Sequence, residues 1–539
     1  MPSSNPFPET PTSPLAPLED LGGRLLGLTA ACAVGLVAGL LIARTLRTHR
    51  LHWSWVAVCL LPLALARSSL GSSAAASAIA GITAVVVGRR WHREDLAAGA
   101  DLARDAAARR GPLSMTRALL GRAQLRRRAA GPKRWRMGGG LIVAIDEHAR
   151  PIPIPFAGGA GARHMLVVGA TGSGKTVTQT WLAARAIEEG SAAIVVDPKG
   201  DDEMRRQLRL AADTAGRRFI DWTPEGPSVY NPYARGGDTE IADKALAGER
   251  FTEPHYQRQA QRYLGHVVRA LRESDRPVSL RAIVENLDPD RLELLARTLP
   301  EARASSTHSY LDSLTARQRT DLAGVRDRLA ILTESDVGPW LDPDATGAER
   351  FDLLEATRAR AVVYFDLQSD RRPLLTQLLG AAIVQDLQTT VASLQGTPVP
   401  TLAVIDEFSA VSAEHVVRLF GRARSAGLSL VLGTQELSDL RPPGSERLLE
   451  QVMGNLSVLI AHRQVVTASA ELIASLAGTR GAWRIARHSD GRTTRTRTRE
   501  PVLDSSEIRR LDRGQAAVIV LGGDASVRIG RVLSPERRG

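Results

Sequence analysis

The residues with the most definite chemistry are Gly169-Ala170-Thr171-Gly172-Ser173-Gly174-Lys175-Thr176, a complete G-x-x-x-x-G-K-[ST] octet. The apolar run His164-Met165-Leu166-Val167-Val168 before it predicts a short buried strand, and residues 177–187 after it predict a helix. Glycines in that setting let backbone N–H groups curl around a polyphosphate, and the helix start adds the positive end of its dipole. Such a loop binds ATP: Lys175 reaches the β- and γ-phosphates, and Thr176 offers its hydroxyl to Mg²⁺. Downstream, Thr401-Leu402-Ala403-Val404-Ile405 predicts a strand ending in Asp406-Glu407. Asp406 there would hold Mg²⁺ through water beside Thr176, and Glu407 would orient or deprotonate the attacking water. A further strand, 428–435, ends in Gln435, whose amide could bond the γ-phosphate or that water. Between the two strands a helix over 413–425 carries Arg422 and Arg424; an arginine just past the catalytic strand could reach the nucleotide of a neighbouring subunit.

These residues need a sheet that lines them up. Buried-strand patterns recur at 192–196, which ends in Asp197-Pro198-Lys199-Gly200-Asp201, at 218–222 and at 360–366, and a helix is expected over 373–394. Strands alternating with helices predict an α/β fold with a parallel sheet covered on both faces. Asn231-Pro232 marks a turn, and Gly138-Gly139-Gly140 opens a β-rich lead over 141–145 and 152–156. The stretch 241–360 differs, with helical patterns at 256–273, 279–285, 290–298 and 313–332, and is expected as an all-helical insertion. The last strand is expected at 516–521, close to the C-terminus. In 484–499, Arg495, Arg497 and Arg499 alternate with threonines, so one strand face would carry all three. That face could track phosphates in a pore, or the stretch could be an exposed hairpin.

The chain has 539 residues, a net charge of +12 and 4% aromatics. The charge suits an anionic partner, nucleic acid or lipid, although an arginine- and alanine-rich composition has the same effect. The low aromatic content argues against a base-stacking platform. Two cysteines, Cys32 and Cys59, both in apolar stretches, argue against a structural disulfide or zinc site. Residues 25–43 carry no charge and would span about 28 Å as a helix, close to a bilayer core. A second apolar block, 53–88, is split by Arg67. Arginines at 44, 47, 50, 89, 90 and 93 could all face the cytoplasm only with three crossings, whereas two crossings form the simpler arrangement and the one expected here. From Arg109 to Arg136 there are ten basic residues and no acid, a candidate anchor on an anionic membrane or a DNA contact. The expected divisions are a disordered lead (1–20), a transmembrane region (21–93), a basic linker (94–137), a first nucleotide-binding part (138–240), the helical insertion (241–360) and a second nucleotide-binding part (361–539).

The set formed by the octet, Asp197–Asp201, Asn231-Pro232, residues 402–408, Gly421-Arg422-Ala423-Arg424-Ser425-Ala426-Gly427 and Gly433-Thr434-Gln435 resembles the TraG/TraD-type coupling proteins of conjugation and type IV secretion. The resemblance runs from about residue 139 onward. It implies a RecA-like P-loop NTPase with a helical insertion and N-terminal transmembrane helices, held in the inner or cytoplasmic membrane with its ATPase part in the cytoplasm. It further implies a homohexamer that uses ATP and Mg²⁺ to pump DNA toward a type IV secretion channel. A single strand carrying a relaxase-type protein is the expected substrate, with double-stranded DNA left open. It also implies that Arg424 is the arginine acting in trans. The septal chromosome translocases, protein-secretion motors and a non-hydrolysing docking platform are the alternatives. Two departures stand out: the second hydrophobic block is irregular, and no long acidic tail follows residue 521.

Overall fold

The computed structural model describes residues 16–58, 71–97, 111–112, 115–116, 119, 132–147, 149–156, 162–249, 251, 253–411, 413–441, 447–487, 493–522 and 525–535. The chain divides into two compact units, one of which holds the N-terminal helices. The other comprises residues 128–147, 151–482 and 498–539.

In the N-terminal unit, α1 (Ala16–Thr48) and α2 (Gly71–Ala97) pack along one another. Residues 16–20, expected in a disordered lead, already belong to α1, and residues 1–15 lie outside the described residues. Within α1, Leu25–Thr48 is long and apolar enough to cross a membrane, the one such helix among the described residues. Gly35 and Gly39 let the helices approach closely. A Cβ on Gly35 would lie 2.7 Å from the Ala76 carbonyl, and one on Gly39 would lie 2.6 Å from that of Ala80. This is the small-residue spacing that helices use in a bilayer. The two helices run in the same direction, because Gly35 meets Ala76, Gly39 meets Ala80 and Arg47 pairs with Asp95 at 2.7 Å. Cys32 is a free thiol, while Cys59 lies outside the described residues, as does most of the basic stretch 109–136. Arg136, at its end, is an intramolecular partner: Nε donates to Glu189 at 2.5 Å and Nη1 to the Phe156 carbonyl at 2.8 Å.

The larger unit is built on one sheet. In chain order its first elements are β1 (Arg136–Met137), β2 (Gly140–Ile145), β3 (Pro151–Ile154), β4 (Met165–Val168), α3 (Lys175–Glu188), β5 (Ala192–Asp197), α4 (Asp202–Thr214), β6 (Phe219–Trp222) and β7 (Ser228–Tyr230). Helices α5 (Asp238–Leu246), α6 (Pro254–Glu273), α7 (Leu280–Glu285), α8 (Pro289–Ala296), α9 (Glu301–Asp312) and α10 (Ala316–Thr333) follow, then β8 (Glu349–Phe351) and α11 (Leu353–Arg358). The chain returns to the sheet with β9 (Val362–Asp366), α12 (Pro373–Ser393), β10 (Thr401–Ile405), α13 (Ala413–Ala423), β11 (Leu428–Thr434), α14 (Leu448–Asn455), β12 (Val458–Ala461) and α15 (Thr467–Leu476). After the two-stranded sheet β13 (Thr479–Arg487) and β14 (Thr493–Pro501), whose residues 483–497 are grouped with the N-terminal unit, the chain closes with α16 (Ser505–Arg509), β15 (Gln515–Val520) and β16 (Ser526–Val532).

The strand order is β1-β2-β16-β15-β12-β4-β11-β10-β5-β9-β6, with β3 beside β2. From β12 to β6 the strands are parallel, whereas β15, β16, β2, β1 and β3 extend that sheet with antiparallel pairings. The expected parallel sheet is therefore the central part of a mixed one. Two corrections concern the segment 241–360 and the C-terminus. The first carries β8, which pairs in parallel with β7 and so is not helical throughout. The strand at 515–520 is followed by β16, which pairs with both β15 and β2.

Alternation along the strands builds a core on each face. In β4, Leu166 and Val168 join the layer formed with α12, α13 and the helical segment, and Met165 and Val167 join the layer formed with α3 and α4. The same alternation splits Ala403 and Ile405 from Leu402 and Val404 in β10. Strands buried on both faces must read as continuous apolar runs, which is why the sequence marked them so plainly.

A buried ion pair fixes the turn at Asn231-Pro232. Lys244 Nζ donates to Asp386 Oδ1 at 2.6 Å and to the carbonyls of Pro232 (2.9 Å) and Arg235 (2.7 Å), and Tyr230 donates to Asp386 Oδ2 at 2.7 Å. Both ionic side chains are almost wholly buried. Burial raises the Asp386 carboxyl above its usual range, against the pull of Lys244. Lys244→Met should leave that carboxylate buried and unpaired and cost about 3–5 kcal/mol of stability. Chemical unfolding checks this, and a loss under about 1 kcal/mol would mean that the pair does not hold the turn.

Candidate active site

The carboxyl ends of β4, β11, β10, β5 and β9 lie side by side, and this is where a parallel sheet places its ligands. Each strand delivers one part of the site. After β4 the octet turns into α3, with Gly172 at φ +72° and Gly174 at φ +116°, a backbone region open to glycine. The amides of Gly172 and Gly174 bond no carbonyl among the described residues, and the buried Ser173 Oγ has no partner there. Two segments from far along the chain bracket this loop. Ala170 N donates to the Arg463 carbonyl (3.0 Å), and Gly514 N donates to the Ser173 carbonyl (2.8 Å).

The strand after α13 and its neighbour β10 bring the polar groups together. Lys175 Nζ lies 3.2 Å from Asp406 Oδ1 and 3.4 Å from Glu407 Oε1. Asp406 Oδ1 also accepts from Gln179 Nε2 (3.0 Å) and from the Glu407 amide (2.9 Å). Gln435 Nε2 donates to Glu407 Oε1 at 2.7 Å, and its Oε1 accepts from the Thr171 hydroxyl at 3.2 Å. Burial works to raise the Glu407 carboxyl, but Lys199, Lys175 and Gln435 together outweigh it and hold the group below its ordinary range. Glu407 also sits at φ +41°, a conformation that costs a non-glycine residue energy and that packing must enforce. Behind it, a side chain at Gly433 would run into Asp406 and Gln179. Thus Lys175, Asp406, Glu407 and Gln435 form one cluster, with Thr176 half-buried on the first turn of α3.

The Asp197–Asp201 turn completes the wall on the β5 side. Lys199 Nζ meets Glu407 Oε1 at 2.5 Å. Asp197 is buried and accepts from the amides of Lys199 (3.0 Å) and Asp201 (2.6 Å) and from the Tyr364 hydroxyl (2.5 Å). Its carboxyl is raised by burial, against those hydrogen bonds. Asp366, at the end of β9, is raised to about 6 by burial and by the charge of Asp197, while Arg205 at 3.7 Å opposes the shift.

Arg424 is not in this cluster. It is exposed and stands before β11, at the opposite end of that strand from Gln435, about 20 Å away along a strand of that length. It lies near His164: burial first, and then the Arg424 guanidinium, press that imidazole down to about 4. Arg497 and Arg499 are exposed on β14, while the Arg495 side chain is outside the described residues.

Two participants escaped the sequence reading. Gln179 lies one turn along α3, where a buried glutamine looks like ordinary helix. His462 follows β12; its Nε2 meets the Thr178 hydroxyl at 2.8 Å and its Nδ1 meets the Gln515 carbonyl at 2.9 Å, so Nδ1 carries the proton. Burial, with a smaller push from Lys175, lowers this imidazole to about 4 and keeps it neutral. The apolar run 458–461 ahead of it was the available signal.

Comparison with known proteins bears on the family and the fold. Residues 151–529 match the family described as the type IV secretion-system coupling protein DNA-binding domain. The type 4 coupling protein DotL of Legionella pneumophila subsp. pneumophila is 21% identical, over 54% of this chain and 46% of DotL, so the chain spans just under half of that relative. Among solved structures, the bacterial conjugative coupling protein TrwBdeltaN70, in a trigonal form with sulphate, superimposes with a TM-score of 0.57 at 19% identity, covering 76% of this chain and 93% of that one. The plasmid coupling protein TrwB in complex with ADP and Mg²⁺ gives a TM-score of 0.55 at 18% identity, covering 75% and 91%. The fold is the TrwB fold, and this chain belongs to the type IV secretion-system coupling protein family.

Proposed function

We propose that this chain is a membrane-anchored ATP hydrolase that works as a homohexamer and drives DNA, with an attached relaxase-type protein, toward a conjugative type IV secretion channel. The observation that carries the reading is the convergence of Lys175, Asp406, Glu407 and Gln435 beside a glycine loop whose Gly172 and Gly174 amides bond no carbonyl among the described residues. The loop amides, Ser173 Oγ and Lys175 suit the β- and γ-phosphates of ATP. Glu407 accepts the proton of the attacking water, and Gln435 orients that water by holding Glu407 and bonding to Thr171. Mg²⁺ would suit the donor set of the Thr176 hydroxyl and the Asp406 carboxylate, whose Oδ1 meets Lys175, Gln179 and the Glu407 amide. When bound there, the ion offsets the charge of the terminal phosphates. TrwB has been solved with ADP and Mg²⁺, which supports the same ligands here.

Arg424 serves the nucleotide of the adjacent subunit, since it is exposed and far from its own octet. Arg424→Ala should keep ATP binding and lose about 10³-fold in turnover, as for other arginines acting in trans. Mixing it with Glu407→Gln subunits should restore part of the activity, and a mixture no more active than its components would remove the trans role. Arg497 and Arg499 contact DNA phosphates without reading sequence. In the membrane, Leu25–Thr48 of α1 is the crossing segment, and α2 packs along α1 in the same direction. Arg44, Arg47, Arg89, Arg90 and Arg93 then all lie at the cytoplasmic end. The test is phosphate release from ATP by the full chain in lipid nanodiscs. Release that needs Mg²⁺ and is lost in Glu407→Gln supports the hydrolase; no release at any Mg²⁺ concentration overturns it.

A further inference from the structure

The Asp197-Pro198-Lys199-Gly200-Asp201 turn is built more firmly than a strand-end turn requires. The Asp197 carboxylate is held by two backbone amides of the turn and by the Tyr364 hydroxyl, at 2.5–3.0 Å. Gly200 sits at φ +79° where any side chain would collide with Asp366, so the turn has one shape. The group that this platform presents is the Lys199 side chain, which is 42% exposed and so fills no core position.

Lys199 Nζ reaches Glu407 Oε1, the same oxygen met by Lys175 Nζ and Gln435 Nε2. Glu407 Oε1 thus faces two cations, and Lys175 Nζ, at 3.4 Å and shared with Asp406 at 3.2 Å, still faces it if Lys199 turns to an anion arriving beside it. Lys175 is tied to the glycine loop by its position on α3. Lys199 comes from β5, on the side of β10 away from β11, and so faces the loop across Glu407.

We infer that Lys199 is a second phosphate cation, which leaves Glu407 to contact the terminal phosphate of a bound nucleoside triphosphate and so distinguishes triphosphate from diphosphate. The inference rests on the nucleotide reading of the site. It gives the Asp197–Asp201 block a purpose: Asp197, Tyr364 and Gly200 are the positioning residues, and Lys199 is the group that touches substrate.

The test uses the full chain in nanodiscs with Mg²⁺, a fluorescent ADP and a non-hydrolysable ATP analogue. Lys199→Gln should bind ADP within about twofold of the unaltered protein and the analogue about 10–100-fold more weakly, the range for a hydrogen bond from a charged group. Lys199→Arg should recover part of that loss. Unaltered affinity for the analogue in Lys199→Gln would overturn the inference and leave Lys199 as a partner of Glu407 only. Equal weakening for both nucleotides would also overturn it, because it would point to a displaced turn. If the unaltered protein bound neither nucleotide, the nucleotide reading would fall, and this inference with it.

Discussion

Glu407→Gln should bind ATP at least as tightly as the unaltered protein and hydrolyse it about 10³-fold more slowly. Glutamine keeps the length of the side chain and an oxygen that can accept from Gln435 and Lys199, at 2.7 and 2.5 Å in the carboxylate form. The loop amides, Lys175 and Thr176 are untouched, so the phosphate contacts persist. Removing one negative charge beside the phosphates favours binding. What disappears is the proton acceptor, and a positioned base is worth about 10²–10⁴ in rate. Single-turnover hydrolysis beside equilibrium binding separates the two effects. Turnover within about tenfold of the unaltered protein would move the base elsewhere. Nucleotide-dependent transfer of DNA in the absence of hydrolysis would favour the docking platform.

Lys175→Ala acts one step earlier. Lys175 is nearly buried and holds Asp406 and Glu407 together at 3.2 and 3.4 Å. Without it, two carboxylates face the phosphate site with Lys199 as the nearest remaining cation, and an incoming polyphosphate meets repulsion instead of a charged hydrogen bond. Nucleotide affinity should fall by at least about 100-fold, the upper range for such a bond. A ligand at 100 times its dissociation constant stabilises the folded state by about 2.7 kcal/mol, so ATP should raise the melting temperature of the unaltered protein and leave that of the variant where it was. An equal thermal shift in both proteins would detach the octet from nucleotide binding.

How much of this was legible in the sequence depended on whether a residue's neighbours in space were also marked in the chain. Residues 165–168, 192–197, 401–405 and 428–434 are buried on both faces, so their apolar runs announced them, and the polar residues that end them announced the site. The antiparallel flank was harder to see. Strand β16 alternates and is partly exposed, with Arg528 and Arg531 in it, so its pattern resembles a solvated tail. His462 and Gly514 were hidden for the same reason: their role depends on β12 and β15 flanking β4, a topology that no local pattern carries. The Asp197–Asp201 block was recognised as a motif without a chemistry. The missing fact was that β5 lies beside β10, which places Lys199 on Glu407. The same-direction packing of α1 and α2 was likewise undecidable from hydropathy, which carries no information on which ends of two helices meet.

The measurement closest to the central claim is steady-state ATP hydrolysis by the full chain in nanodiscs, with single-stranded, double-stranded or no DNA, across a range of salt. A motor that tracks phosphates through arginines such as Arg497 and Arg499 is stimulated by DNA. The concentration of DNA needed should rise steeply with salt, because each phosphate contact releases about one counterion. The more stimulating form of DNA identifies the substrate. Hydrolysis that is rapid yet indifferent to either form of DNA at every salt concentration would contradict a DNA translocase and point to a motor for another cargo.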